Sequence, residues 1–172
     1  IGFFTALAND KKAGFIPVGS AITSYARNFT IRTAQKNYYG ANKAGFIYAD
    51  TDSIHCDLPL EQIVGAKIDD KNFCCWKKEC DWDEAIFVRQ KTYIEHVIGK
   101  DNYYNIKCAG MPERCKALLD KSLCEDYSLS NETEEDREKM SDEEKEFLQT
   151  KRTLKDFKLG LKVYGKLLPK RI

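Results

Sequence analysis

The feature that most constrains the fold of this chain is the segment Asp50-Thr51-Asp52, which stands between two stretches rich in apolar residues. A short apolar run, 45–48, precedes it, and an alternating run, 53–58, follows it. Two such runs around a short polar centre predict two antiparallel strands joined by a tight turn. Asp and Thr favour turns because their side chains bond to the nearby backbone. We therefore expect a β-hairpin with Asp50 and Asp52 at or beside its tip and with Thr51 and Ser53 shaping the turn.

Two like-charged carboxylates at one place repel each other unless one is protonated or a cation lies between them. Their hard oxygens, with no thiol or imidazole beside them, suit Mg²⁺ or Mn²⁺ better than zinc. Asp50 and Asp52 are therefore candidate metal ligands and catalytic residues. The simpler alternative is an ordinary surface turn, because Asp-Thr-Asp also occurs as turn chemistry alone.

Several motifs in consistent order extend this pattern. The sequence Tyr-Ala-Asp-Thr-Asp-Ser at 48–53 resembles the palm hairpin, called motif C, of family B DNA polymerases. The segment Arg-Gln-Lys-Thr-Tyr at 89–93 carries the Lys-x-Tyr motif of the protein-primed branch, found in phages and linear plasmids. The stretches 15–27, 107–111 and 157–160 also resemble that branch. The resemblance runs, with gaps, from about residue 15 to about residue 165.

The resemblance implies nucleotidyl transfer to a primer 3′-hydroxyl by a mechanism that uses two Mg²⁺ (or Mn²⁺) ions. By this resemblance Asp52 is a direct metal ligand, and Asp50 is a second or supporting carboxylate. Arg89, Lys91 and Tyr93 contact the primer, and the basic segment from Lys151 onward faces duplex DNA. The implied partners are primer-template DNA, deoxynucleoside triphosphates and a terminal (priming) protein, with no membrane.

The departures from the family pattern are as informative as the matches. Neither the aspartate of motif A nor the Lys and Tyr of motif B is found, and the first residue is Ile. We therefore expect a carboxy-terminal fragment that is inactive by itself. Residues 1–84 would be part of the palm, and residues 85–172 the Lys-x-Tyr strand and the thumb. The expected class is α+β, with an antiparallel palm-type sheet and a packed helix followed by a small β-hairpin and helical thumb.

The net charge of +1 conceals a strong segregation of charge. Residues 131–146 carry nine acidic and three basic side chains, whereas 151–172 carry eight basic side chains and one acidic one. We interpret the acidic stretch, near 125–146, as an insertion in the thumb that points outward. The basic tail is a candidate phosphate-binding surface, or in part a solvated helix face.

The seven cysteines show no Cys-x-x-Cys pair, so reduced thiols are favoured over a zinc site. No apolar run approaches the ~20 residues that span a bilayer. We expect a cytoplasmic location, in a host cell that carries a phage or plasmid.

Local patterns predict the remaining elements. We expect a turn at 9–12, a helix over 20–38 with Ser20 as N-cap, and irregular helix over 59–84. Alternation predicts one strand over 85–97 that carries Lys91 and Tyr93 on the same face, followed by a turn at 99–102 and a partner strand at 103–108. Helices follow from Glu113, and Ser141 and Glu144 have the spacing of a capping box.

Two other functions stay open. Nucleotide-sugar glycosyltransferases also hold Mn²⁺ and a diphosphate with Asp-x-Asp, although that reading gives no role to Lys91, Tyr93 or the basic tail. A non-catalytic DNA-binding fragment is the other alternative.

Overall fold

The computed structural model describes residues 15–99 and 103–164, together with the backbone of a short strand at 166–167. The chain divides into two compact units, Ile1–Lys78 and Glu79–Ile172. Each unit combines helix with antiparallel sheet, and three separate sheets occur among the described residues. This confirms the α+β class. The predicted turn at 9–12 lies outside the described residues.

The first unit contains one long helix and one hairpin. Helix α1 spans Ile16–Lys36, and strands β1 (Phe46–Asp50) and β2 (Ser53–Cys56) follow it. The helix begins four residues earlier than predicted, and Ser20 lies inside it rather than at its N-cap. Pro17 is tolerated in the first turn because the backbone N–H that proline lacks would have no helical partner there.

Asn37, directly after α1, joins the parts of this unit. Its side chain is fully buried; the amide nitrogen donates to the carbonyls of Thr33 (2.8 Å) and Val64 (2.9 Å). The amide oxygen accepts from the Val64 N–H at 2.8 Å. The Asn37 carbonyl accepts from the Phe46 N–H, also at 2.8 Å. One residue therefore fixes the end of α1, the start of β1 and the segment that follows β2.

Gly45 allows the close approach that this arrangement needs. Its φ is +149°, and a Cβ at this position would meet the Asn37 carbonyl oxygen closer than real Cβ atoms come. Its N–H donates to the Asp57 carboxylate at 2.5 Å, and its carbonyl accepts from the Asp57 N–H at 3.1 Å. The hairpin is thus closed at its base by Asp57.

The predicted hairpin is confirmed, whereas the predicted helix over 59–84 is wrong. Strands β1 and β2 are antiparallel, with Asp50 opposite Ser53 at the tip. Residues 59–84 instead form a short 3₁₀ turn, Leu60–Gln62, a single bridge from Ile68 to Trp76, and the start of the next strand. The Asp69 carboxylate accepts from two nearby backbone N–H groups, a local bond pattern that competes with helix.

The second unit is a three-stranded antiparallel sheet covered by helices. The strands β3 (Asp81–Arg89), β4 (Thr92–Ile98) and β5 (Tyr103–Cys108) lie in chain order. The prediction of one strand over 85–97 is wrong, because a turn at 90–91 divides it in two. The partner strand at 103–108 is confirmed, and most of the turn before it lies outside the described residues.

Helices α2 (Glu113–Leu123), α3 (Glu134–Lys139) and α4 (Asp142–Gln149) follow, and the short strands β6 (Lys162–Val163) and β7 (Lys166–Leu167) pair near the end. One apolar cluster joins the sheet, α2, α4 and the segment after α4. It contains Ile94, Ile106, Cys108, Met111, Cys115, Leu118, Leu119, Leu123, Phe147, Leu148, Leu154, Phe157 and Val163. This cluster is the core of the second unit.

The acidic stretch is only partly directed outward. Of the nine acidic side chains at 131–146, seven are exposed: Glu134, Glu135, Asp136, Glu138, Asp142, Glu143 and Glu146. Glu132 and Glu144, in contrast, fold against α2. Glu132 pairs with Lys121 at 2.5 Å, and Glu144 accepts two hydrogen bonds from the Arg114 guanidinium, at 2.5 and 2.7 Å. The expectation of an outward-facing insertion therefore needs correction at these two positions, where cations of α2 hold the segment.

Glu144 is the central residue of this attachment. Its side chain is 1% exposed and also completes the predicted capping box with Ser141, which is confirmed. Burial alone would raise the pKa of Glu144, but the hydrogen bonds from Arg114 and Ser141 hold it below the ordinary value. The carboxylate is therefore ionised in the folded protein.

We predict that Asn37→Ala destabilises the hairpin by about 2–3 kcal/mol, because it removes the three hydrogen bonds that the buried amide makes to Thr33 and Val64. Hydrogen exchange at the Val64 and Phe46 amides measures the local free energy of opening. Asn28→Ala, on the same helix, is the matched control, since the Asn28 side chain bonds only to exposed Arg32 among the bonds described for it. Equal protection in the two variants would contradict the role of Asn37.

We predict that Glu144→Gln lowers the free energy of unfolding of the second unit by about 1–3 kcal/mol at pH 7. A carboxylate whose pKa is depressed by folding adds stability above its unfolded pKa of about 4.3, and that stability is lost as the pH falls through the lower folded value. The difference between wild type and Glu144→Gln should therefore shrink below about pH 4. Glu143→Gln, at the exposed neighbour, should show little change at any pH; a constant difference for Glu144→Gln would contradict the ionised pair.

Candidate functional site

The tip of the β1–β2 hairpin is a strained turn that carries both predicted carboxylates. Asp50 ends β1 and is half-buried, while Thr51 and Asp52 are exposed. The Asp52 N–H donates to the Asp50 carbonyl at 2.6 Å, and Thr51 has a φ of +53°. An i to i+2 bond around a residue with positive φ is a γ-turn of the rare kind. For a β-branched residue this conformation costs about 1–3 kcal/mol.

Three hydroxyl groups stabilise this turn. The Thr51 hydroxyl donates to the Asp50 carboxylate at 3.0 Å, and the Ser53 hydroxyl donates to the Asp50 carbonyl at 3.1 Å. The hydroxyl of Thr30, on α1, donates to the Thr51 carbonyl at 3.2 Å. Sequence reasoning singled out Thr51 and Ser53 but missed Thr30, since a helical threonine 21 residues away carries no local signal.

The donor set at the tip suits part of a site for a hard divalent cation. Asp50 and Asp52 supply carboxylate oxygens, which are the protein ligands that Mg²⁺ prefers. Within the part of the chain that the structure describes, no group of three or more His, Cys, Asp or Glu side chains could enclose a metal ion. Asp50 and Asp52 thus fit one side of a metal site, and further ligands would have to come from water, substrate or residues not described.

The residues of the predicted Lys-x-Tyr motif do not share a strand. Arg89 ends β3, and Lys91 lies in the β3–β4 turn with a φ of +58°. Both side chains are exposed. Tyr93, in β4, is 8% exposed and its ring lies 5.2 Å from that of Phe87. The expectation that Lys91 and Tyr93 share one strand face is therefore wrong. The sequence did not indicate the turn, because this segment contains no Gly, Pro or Asn.

Two cations of the predicted basic surface bond to other residues of the second unit. The Lys151 ammonium donates to the carbonyls of Cys124 (2.9 Å) and Glu125 (3.1 Å) and also to that of Tyr127. The Arg152 guanidinium donates to the Phe147 carbonyl at 2.6 Å and lies 3.7 Å from the centre of the Phe147 ring. These two cations hold the second unit together. Lys155, Lys158 and Lys162 stay exposed.

The sequence of this chain is similar to the sequences of known proteins. The chain is 32% identical to the DNA polymerase of Bacillus phage phi29 in an alignment over 132 residues that covers 67% of this chain. It is 38% identical to the DNA polymerase of Streptococcus phage Cp-1 in an alignment over 107 residues that covers 61% of this chain. The chain is a relative of phage DNA polymerases. The resemblance that the motifs indicated is therefore confirmed.

The extent of the match limits what it shows. The chain spans about a fifth of the length of these curated polymerases, 22% for phi29 and 18% for Cp-1. No protein-family model matches the chain, and no solved structure matches it significantly. None of the helices described for this polymerase relative combines the length and the hydropathy that a membrane span requires.

Proposed function

We propose that this chain forms part of a template-directed DNA polymerase of the protein-primed family B type. The reaction would transfer a nucleotide from a deoxynucleoside triphosphate to a primer 3′-hydroxyl. The observation that carries the proposal is the pair of carboxylates that flank a strained turn in a chain related to phage DNA polymerases. Strained backbone is found preferentially at functional sites, where the surrounding structure maintains it.

Asp52 and Asp50 would hold the divalent cation. Asp52 is the exposed carboxylate at the turn and would act as the direct ligand, with Asp50 as the second or supporting one. When bound, Mg²⁺ or Mn²⁺ would neutralise charge on the phosphates and lower the barrier to attack by the hydroxyl. The contribution of the chain is orientation, because the Thr51 and Ser53 hydroxyls anchor Asp50 through its carboxylate and carbonyl.

The remaining parts of the proposal concern DNA and partners. Residues 1–84 would belong to the palm and residues 85–172 to the thumb. The exposed cations Arg89 and Lys91 would contact primer phosphates, whereas Tyr93, packed on Phe87, would offer only the small accessible part of its ring and hydroxyl.

Primer-template DNA, nucleoside triphosphates and a priming terminal protein would be the partners, in the cytoplasm of a phage-bearing host. Since a second set of carboxylates is needed for two ions, we expect no polymerisation by this chain alone.

We predict that Mn²⁺ broadens the amide resonances of residues 51–53 in this chain and that Asp52→Asn removes the effect. In the complete gene product that carries this sequence, Asp52→Asn should reduce primer extension by about a hundred- to a thousandfold, as loss of a charge-stabilising group does, while DNA affinity is kept. Asp70→Asn, at an exposed carboxylate of the same unit, is the control for both measurements. Normal extension by Asp52→Asn would contradict the metal assignment, and sugar transfer from a nucleotide donor would favour a glycosyltransferase.

We predict that Lys91→Ala weakens binding of this chain to primer-template DNA and lowers the slope of log affinity against log salt by about one, since one phosphate contact is lost. Fluorescence anisotropy over a range of salt concentrations measures both quantities. Lys139→Ala, at an exposed lysine that pairs with Glu135, should leave the slope unchanged. A slope for Lys91→Ala equal to that of wild type would mean that Lys91 does not contact phosphate.

A further inference from the structure

The hydroxyl groups of the three threonines in α1 donate hydrogen bonds to different sets of carbonyl groups. Thr23 donates to the carbonyls of Gly19 and Ser20, and Thr33 donates to the carbonyl of Phe29 at 3.1 Å. These are the ordinary bonds of a helical threonine to its own preceding turn. Thr30 also has such an acceptor, the carbonyl of Ala26 at 3.2 Å. The same hydroxyl also lies 3.2 Å from the Thr51 carbonyl, outside the helix, so its single proton is shared between the two acceptors.

The acceptor of this bond is the centre of the γ-turn. Thr51 is the residue with φ of +53°, and its two neighbours are Asp50 and Asp52. Thr30 is 5% exposed, and its bond to the Thr51 carbonyl is part-buried. A bond to this carbonyl restrains the peptide that joins Thr51 to Asp52. A helix side chain thus acts on the backbone between the two carboxylates.

We propose that Thr30 is a positioning residue that holds the Thr51 peptide in its strained conformation and thereby orients the carboxylates of Asp50 and Asp52 toward a shared cation. The inference rests on the proposed function, in which these two carboxylates hold the metal. Thr30 does not touch the cation; it acts through the backbone of Thr51. Groups that orient metal ligands from outside the coordination shell change metal affinity without being ligands themselves.

The arrangement separates positioning from folding. Asp50 opposite Ser53 and the three pairs before them form the ladder of β1 and β2, and Thr30 belongs to none of these pairs. Thr33, on the same face of α1, and Asn37, directly after the helix, are also buried, and their side chains bond to the carbonyls of Phe29 and Thr33. Removal of the Thr30 hydroxyl should therefore change the turn and spare the hairpin.

The test compares Thr30→Val with Thr33→Val, two isosteric changes at buried threonines of one helix. Mn²⁺ affinity is measured from the broadening of the residue 51–53 amides, and three-bond coupling constants of Thr51 report its φ. We expect Thr30→Val to weaken Mn²⁺ binding about tenfold and to shift the Thr51 couplings. Thr33→Val should alter neither, and Thr30→Ser, which keeps the hydroxyl, should restore both.

Thr51→Gly provides a second, independent arm. Glycine adopts positive φ without strain, so the turn in this variant no longer needs support from Thr30. In the Thr51→Gly background, Thr30→Val should therefore change Mn²⁺ affinity by less than about twofold, against about tenfold in the wild-type background. Hydrogen exchange at Ala49 and Ile54 shows whether the hairpin ladder has stayed intact in each variant.

The outcomes distinguish this inference from the proposed function. If wild type shows no Mn²⁺ effect at the hairpin, the metal assignment fails, and this inference fails with it. If wild type binds Mn²⁺ and Thr30→Val leaves both affinity and Thr51 couplings unchanged, only the role of Thr30 is overturned. Equal losses in Thr30→Val and Thr33→Val would also overturn it, because they would indicate general weakening of the helix.

Discussion

The buried amide of Asn37 is the interaction on which the geometry of the first unit depends. The amide forms hydrogen bonds with the N–H and C=O of Val64. The backbone carbonyl of Asn37 accepts a hydrogen bond from the N–H of Phe46, at the start of the first hairpin strand. A buried polar group contributes to a unique arrangement only when all its bonds are made, and then it allows few alternatives. The end of α1, the start of β1 and the segment after β2 are consequently fixed relative to one another. Gly45 permits this because it leaves room for the Asn37 carbonyl.

The buried face of α1 follows from the same constraint. Thr30, Thr33, Ala34 and Asn37 repeat at helical spacing, and only one of these four side chains is apolar. Two of these residues bond to the hairpin, Thr30 through its hydroxyl and Asn37 through its backbone carbonyl. Hydrogen bonds are directional, so this contact fixes the position of the turn more closely than apolar packing of the same area would. The position of the two carboxylates at the tip depends on the position of this turn.

In the second unit, charge serves the fold as well as the surface. Glu132 and Glu144 form ion pairs that attach the acidic stretch to cations of α2. Lys151 donates to the carbonyl of Cys124, directly after α2, and Arg152 donates to the carbonyl of Phe147 in α4. Net charge along a segment is a poor guide to its partners where ions are already paired inside the molecule. At the β3–β4 turn, the side chains of Arg89 and Lys91 are exposed.

The sequence by itself determined the β1–β2 hairpin, the positions of Asp50 and Asp52 at its tip, the partner strand at 103–108 and the capping box at Ser141. Each of these depends on residues close together in the chain, where alternation, turn chemistry and capping act directly. The motif order around them was enough to indicate the relationship to phage polymerases.

Tertiary structure alone decided the bonds from Thr30 and Asn37, the turn that separates Lys91 from Tyr93, and the irregular path of residues 59–80. The polar face of α1 has no apolar periodicity to detect, and its partners are 21 and 27 residues away. The β3–β4 turn lacks the usual turn residues and is set by the pairing of β4 with both of its neighbours. The two carboxylates could thus be identified from neighbouring residues in the sequence, whereas the conformation that orients them depends on contacts between residues distant in the chain.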